Sequence, residues 1–425
     1  MAAQQESNGI TNSESHGDSI DSTVLIIGSG STGLALAQGL RKAGIKCTVF
    51  ERIPTRGTRE RDWNMGLHWG APVLKGLIPP ESWDKIQTVQ VDPHVPTKEE
   101  DTLNFINGAT GEHMTGFTFG PFYRLRRSKL RALLSQDLDI KYGKSLSNIT
   151  YAADGTNVTA HFADGTSATG KMLVGADGAR STTRRLLIGP DLGAINRLPY
   201  GATFVQTKFS RERALYLRKF HPLFLGSAHP GNCFAFFGMQ DAAEADDPAS
   251  WTFFFYISWR YSLEEQDATA DWTDAQRLQQ VKELSKSFTD PWKSAFEWTP
   301  DDNPVWYLGL TDWDPGLEGH RWDNHGGRVT MVGDAVHPMT YQRGQGLNHS
   351  ITDAGKLTAA IKTIMEGVEP AKQAEIISAF EDEMIARGGE EVRTSTTNTG
   401  MLHDWEKVMK SPVMTAGLNK GVRAG

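Results

Sequence analysis

The stretch from residue 24 to residue 51, VLIIGSGSTGLALAQGLRKAGIKCTVFE, constrains the fold more than any other part of the chain. Four apolar residues, Val24 to Ile27, run without alternation, as in a parallel strand covered on both faces. Gly28, Gly30 and Gly33 then form a Gly-x-Gly-x-x-Gly turn. Leu34, Ala37 and Leu40 recur at helical spacing, Gly44 suits a left-handed stop, and CTVFE reads as a second strand. In such a unit the first glycine allows the tight turn and the second lets a pyrophosphate approach the backbone. The third lets helix and strand pack closely. The phosphates then meet the free N–H groups at the helix start. Glu51 ends the second strand 18 residues after Gly33, where a carboxylate can accept from ribose hydroxyls, and Arg52 stands beside it. The pattern specifies a dinucleotide and leaves NAD and FAD both open.

Two further strand ends carry the same kind of chemistry. LVGADGARSTTR (173–184) brings an apolar strand directly into Asp177-Gly178, with Arg180 and Arg184 following at helical spacing. VTMVGDAVHPMTYQRGQGLNHSITDAGKL (329–357) runs a strand into Gly333-Asp334, bends at His337-Pro338, and opens a long helix at Gly344, Gly346, Leu347 and Asn348. A helix start presents unpaired N–H groups and partial positive charge, which suits a ligand that accumulates negative charge.

The order and spacing of these three motifs resemble the group A flavoprotein monooxygenases, the para-hydroxybenzoate hydroxylase-like family. RRSKLRALL also resembles that family's Arg-x-x-Leu-x-x-x-Leu helix, which implies that Arg127 lies near FAD. The resemblance implies an α/β fold: a Rossmann-like FAD-binding domain in three ββα layers, a mixed β-sheet substrate domain and a C-terminal helical segment. Residues 21–95, 115–195 and 305–370 are expected in the FAD domain, and 96–114 with 196–304 in the substrate domain. Residues 1–20 read as a disordered tail and 371–425 as the helical segment. The implied cofactor is a tightly bound, non-covalent FAD, with Asp334 at its ribityl chain and Asp177, Gly178, Gly333, Pro338, Gly344, Gly346, Leu347 and Asn348 around it. The resemblance further implies NADPH or NADH as transient reductant and a flavin C4a-hydroperoxide, formed with O₂, that hydroxylates or epoxidises an electron-rich substrate. The alternative is a flavin oxidase or reductase on the same fold.

Residues 56–70, RGTRERDWNMGLHWG, depart from the family's usual small and apolar run. Arg61 by position is a candidate contact to the flavin, His68 a candidate acid–base group, and Trp69 a candidate pocket wall. CFAFF (233–237) and WTFFFYISW (251–259) read as strands of the second sheet, with Phe236, Phe254 and Tyr256 offered to the pocket. So many aromatics favour a bulky aromatic or polycyclic substrate, as in secondary metabolism. A net charge of −7 without a long basic run argues against nucleic acid. No apolar run approaches a membrane span, and no His/Cys/Asp spacing suggests a metal. Two cysteines, Cys47 and Cys233, fit a reducing, cytoplasmic setting, for a monomer or homodimer.

Overall fold

The computed structural model describes residues 24–55 and 61–417; the expected tail over 1–20 and part of the 56–70 loop lie outside these. Five parallel strands form the nucleotide sheet in the order β17 (Val329–Met331), β11 (Met172–Gly175), β1 (Val24–Ile27), β2 (Cys47–Glu51) and β7 (Ile140–Tyr142). Their side chains alternate between two cores. Ile26, Val49, Val174 and Met331 pack with the helices Ser31–Lys42 and Gly346–Met365 through Leu34, Leu40, Ile351 and Leu357. Leu25, Ile27, Phe50, Leu173 and Val329 pack on a meander of β8 (Leu146–Tyr151), β9 (Val158–Phe162) and β10 (Ser167–Gly170). Phe50 stacks on Phe162 across that interface, with ring centroids 4.8 Å apart. The result is the expected three-layer ββα arrangement. The two Ala-Asp-Gly turns of the meander form as the sequence implies. Asp154 and Asp164 accept from the backbone N–H groups of Thr156 and Thr166, and Gly155 and Gly165 take positive φ.

The second sheet is mixed, in the order β16 (Val305–Asp312), β12 (Asn196–Lys208), β15 (Thr252–Arg260), β14 (Cys233–Asp241), β13 (Phe224–His229), β4 (Asp101–Asn107) and β5 (His113–Phe119). Only the β13–β4 pairing among these is parallel. The sheet reaches further than the sequence suggests: it takes in the strand up to Asp312 and extends to Phe119. The reason is edge pairing. β12 is 13 residues long, and β16 supplies hydrogen-bond partners that its outer edge would otherwise lack. One face, through Phe237, Phe253 and Phe255, is covered by the helices Asp274–Ser285 and Trp292–Trp298, with Phe255 edge-on to Phe296 at 4.9 Å. The other face turns toward the nucleotide domain.

Between the two domains lies a short antiparallel pair, β3 (Asn64–Leu67) and β6 (Tyr123–Arg126). Residues 61–95 therefore hold more regular structure than their scattered Pro and Gly imply, since the helix Ala71–Leu77 follows β3. The C-terminal segment is dominated by one 33-residue helix, Pro370–Leu402. Its buried stripe reads Ile377, Phe380, Met384, Gly388, Val392, Ser395, Thr399 and Leu402, a helical period that runs through polar as well as apolar residues. At Gly388 a Cβ would stand 2.6 Å from the His337 ring, so a glycine there lets the helix close onto the loop after β17. Among the described residues, no helix is long and apolar enough to cross a membrane.

Candidate cofactor and substrate site

The three glycine-bearing strand ends converge at the C-terminal edge of the parallel sheet, where ligands of open α/β sheets bind. Two glycines there are required by packing. A Cβ on Gly28 (φ +107°) would lie 2.5 Å from the Ala176 carbonyl oxygen, and one on Gly33 would lie 2.2 Å from that of Gly28. Others border empty space. A Cβ on Gly30 meets no heavy atom nearer than 3.9 Å, one on Gly346 only Asp334 Oδ1 at 4.0 Å, and Gly178 and Gly344 have nothing within 4 Å. These four line an open cradle running from the first helix start to the Gly346–Met365 helix start. A long dinucleotide fits that shape, which has a helix N-terminus at each end.

Glu51 closes the end of the cradle at the first helix. Its Oε2 accepts from the Ser29 backbone N–H at 3.0 Å and the Ser29 hydroxyl at 2.6 Å, and its Oε1 from the Ile53 N–H at 3.0 Å. Arg52 beside it is exposed. A residue the sequence reading passed over also grips the turn. Arg131 donates from Nε to the Ser29 carbonyl and from Nη2 to its hydroxyl, both at 2.9 Å. Its signal was present: Arg131 sits one helical turn after Arg127 on the helix Arg127–Leu134. Arg127 is buried, with its guanidinium 4.4 Å above the Trp63 ring.

Asp177 is engaged by the helix Thr182–Ile188, accepting from the N–H groups of Thr182 at 2.7 Å and Thr183 at 3.0 Å. It thereby fixes the loop at Gly178. Arg184 is fully buried and donates to the carbonyls of Ala179 (2.7 Å), Gly193 (3.0 Å) and Ala335 (2.9 Å), while its guanidinium covers Trp313 at 4.7 Å. Burial pushes it down to about 10, still a cation at neutral pH. Asp334 is open to solvent yet densely surrounded by protein, the combination expected on the wall of a deep cleft. Desolvation raises its carboxyl above the usual value, against the opposing pull of His337, Arg127 and Arg184.

Beneath Gly333-Asp334 lies an ionic network that the sequence reading did not find. Asp353 is fully buried and accepts from the Gly333 N–H (2.9 Å) and from Arg387 Nη2 (2.7 Å), and its Oδ2 lies 2.6 Å from His337 Nε2. Burial alone would raise Asp353, but His337 and Arg387 hold it well below the usual carboxylate range. Arg387 also pairs with Glu383 at 2.8 Å and meets His349 Nδ1 at 3.0 Å; Arg343 pairs with Glu391 at 2.7 Å. His337 is thus a fixed partner of a carboxylate, and Pro338 passes its carbonyl to the Trp313 N–H at 3.1 Å.

Asn348 joins the long helix start to the departing loop. Its Oδ1 accepts from the N–H groups of His68 (3.0 Å) and Gly70 (3.1 Å), and its Nδ2 donates to the Gly66 carbonyl at 3.1 Å. His68, Trp69, Gly344, Gly346, Leu347 and Asn348 are thereby brought together across the chain. Trp69 donates from Nε1 to Gln345 Oε1 at 2.9 Å. His68 stacks on Phe122, and neither ring nitrogen has a hydrogen-bond partner. Burial pushes it down to about 4, so it is neutral at pH 7. Arg61 is exposed just before β3, outside this cluster.

Across from the helix start, an aromatic row spans four strands. Register places Phe236 opposite Tyr256, Tyr256 opposite Phe204, and Phe204 opposite Trp306. Phe204 and Trp306 stack at 5.5 Å, and Phe254 joins the same face two residues from Tyr256. Tyr341, in the loop leading to the long helix, meets the row edge-on at Phe204 (5.5 Å) and Tyr256 (5.2 Å). Each such pair adds roughly 0.5–1.5 kcal/mol beyond area burial, so the wall is stiff. Three arginines of the substrate domain are engaged away from this wall. Arg218 pairs with Asp92, Arg260 binds the His403 carbonyl, and Arg213 lies over Trp298.

Comparison with known proteins agrees with this geometry. The family model of the FAD binding domain matches residues 21–61 and 319–408. The FAD-dependent monooxygenase cctM of Talaromyces islandicus is 36% identical over 400 residues, covering 93% of this chain and 97% of the relative. The FAD-dependent monooxygenase phnB of Penicillium herquei is 36% identical over 397 residues, covering 93% and 94%. HpxO of Klebsiella pneumoniae, solved with FAD and uric acid, shares the fold with a TM-score of 0.67 at 18% identity, covering 92% of this chain and 91% of that one. The cradle, the strand-end motifs and these full-length relatives together place the chain in the FAD-dependent monooxygenases, the group A flavoprotein family of para-hydroxybenzoate hydroxylase.

Proposed function

We propose that this FAD-dependent monooxygenase uses NADPH or NADH and O₂ to hydroxylate or epoxidise a bulky aromatic or polycyclic secondary metabolite. The observation that carries the substrate class is the aromatic row Phe236–Tyr256–Phe204–Trp306, facing Tyr341 and the helix start at Gly346. A flat, apolar face of that width matches fused rings better than a small acid. FAD, when bound, supplies electron transfer and activation of O₂. The chain's residues divide the remaining work. Gly30 and the first helix start receive the pyrophosphate. Glu51 and Ser29 set the ribose end, with Arg52 at its rim. Arg127 and Asp334 frame the middle of the cradle, and Asp177 shapes the loop at Gly178. Backbone N–H groups of Gly346 and Leu347 stabilise negative charge at the ring end. His68, neutral and dry, and Trp69 border the ring; Arg61 stands nearer the solvent side. A reducing, cytoplasmic setting remains the reading from cysteine use.

The test is substrate-dependent NAD(P)H oxidation by the FAD-loaded protein under ¹⁸O₂. One labelled oxygen atom in the product is expected. Unlabelled product with one equivalent of hydrogen peroxide would establish the oxidase alternative instead.

A further inference from the structure

Arg124 lies on β6 opposite Gly66 of β3, whose carbonyl Asn348 holds at the helix start. It is therefore one strand spacing, about 5 Å, from the loop that borders the ring end of the cradle. Its side chain crosses to the second sheet, where the guanidinium lies 4.8 Å from the Phe236 ring centroid and 5.7 Å from that of Phe224. Among the described residues no carboxylate pairs with it. Asp241 on the neighbouring strand is taken by Arg126 and Lys129, and Asp92 by Arg218. Its Nε is buried with no hydrogen-bond partner among the described residues, while the residue as a whole is half-buried, its far end reaching the cleft. Tyr256 is the titratable group acting on it. Burial lowers Arg124 to about 10, so it keeps its charge at neutral pH. A guanidinium in this position is costly unless something else completes it.

We propose that Arg124 is a substrate-binding residue that takes the ionised hydroxyl of a phenolic substrate against the aromatic row. This rests on the aromatic-substrate reading above and deepens it. The choice of a phenol over a carboxylate follows from desolvation. A carboxylate must shed its hydration on entering a wall of Phe and Tyr rings that offers one cation. A phenol enters neutral and releases its proton to solvent once its oxygen meets the guanidinium, because the opposite charge lowers its pKa. The cation–π contact with Phe236 holds the guanidinium in the plane of approach. An ionised oxygen also enriches the ortho and para ring carbons in electrons, which an aromatic hydroxylation requires.

The test titrates FAD-loaded protein calorimetrically with 1-naphthol, 1-naphthoate and the non-ionising 1-naphthalenemethanol. Two buffers of different ionisation heat are used, about one pH unit below the pKa of free naphthol. Wild type is expected to bind 1-naphthol about tenfold more tightly than the alcohol, as about two units of pKa lowering imply at that pH, and to release most of a proton. Arg124→Met should abolish both the preference and the proton release while keeping the wild-type flavin content. Arg124→Lys should keep part of each. The proposal is overturned if wild type shows no preference, if none of the probes binds, or if the preference survives Arg124→Met. An Arg124-dependent gain for 1-naphthoate alone would overturn it in favour of a carboxylate. Failure to load FAD would instead count against the monooxygenase reading itself.

Discussion

Arg184 Nη1 donates to the Ala335 carbonyl at 2.9 Å, tying two strand-end loops together across 151 residues of sequence. The same guanidinium holds Ala179 and Gly193, so one buried cation fixes the loops after both β11 and β17. Replacing it with Met leaves three carbonyls without their donor. A loss of about 3 kcal/mol or more is expected, with reduced FAD retention. Thermal melting and flavin content of purified Arg184→Met measure both; unchanged values would show that the loops hold without it.

The glycines separate fold from cofactor. Gly33→Ala forces a Cβ onto the Gly28 carbonyl at 2.2 Å and should cost several kcal/mol, about what overpacking costs at a rigid backbone contact. Gly30→Ala has 3.9 Å of clearance, so the apoprotein should melt within about 1 kcal/mol of wild type yet take up little FAD. Calorimetry of both apoproteins, followed by FAD titration, separates the two effects.

Asp353 gives an acid dependence with a definite sign. Its carboxyl is held below the unfolded value by His337 and Arg387, so its stabilisation is complete above about pH 4 and fades as pH falls further. Asp353→Asn should remove roughly 3–5 kcal/mol at pH 7, because Arg387 and His337 lose their buried counter-charge. It should also flatten the acid limb below about pH 4. Denaturant midpoints across pH read both.

His68 has a depressed folded value of about 4, so its contribution is present above about 6.5 and is lost as pH falls between the two. Replacing it with Phe removes two ring nitrogens that lack partners. His68→Phe should melt at or above the wild-type temperature at pH 7, with the advantage widening toward pH 5. If turnover nevertheless falls, the ring acts on substrate rather than on stability. Steady-state rates on the same preparation supply that comparison.

The sequence conveyed the parallel core well because its signals are local. Val24 to Gly33 carry an unbroken apolar strand, a turn and a helix face within one short segment, and the structure follows them residue by residue. Asp334 was legible for the same reason, as a short acid at a strand end beside glycine. The partners beneath it were not. Asp353, Arg387 and Glu391 are charged residues on helices, a pattern normally read as solvated surface. They become buried only because the Pro370–Leu402 helix crosses the loop at His337, a fact of tertiary packing. A clue lay in phase: Gly388, Glu391, Ser395 and Thr399 continue the stripe of Ile377 and Met384. Arg124 was hidden differently. Four residues of strand carry no readable face, and its isolation depends on where Asp241 and Asp92 find their own cations.

The crossing helix bears on the order in which the protein matures. The glycine turn leaves the ribosome before Arg387 does, with strand, turn and acid already encoded. The Gly333 N–H is fixed by Asp353, and Asp353 by Arg387, so the far wall of the cradle sets only after translation has passed that arginine. During synthesis the cradle is half a mould, its first glycine turn encoded long before the wall at Gly333 can be held in place.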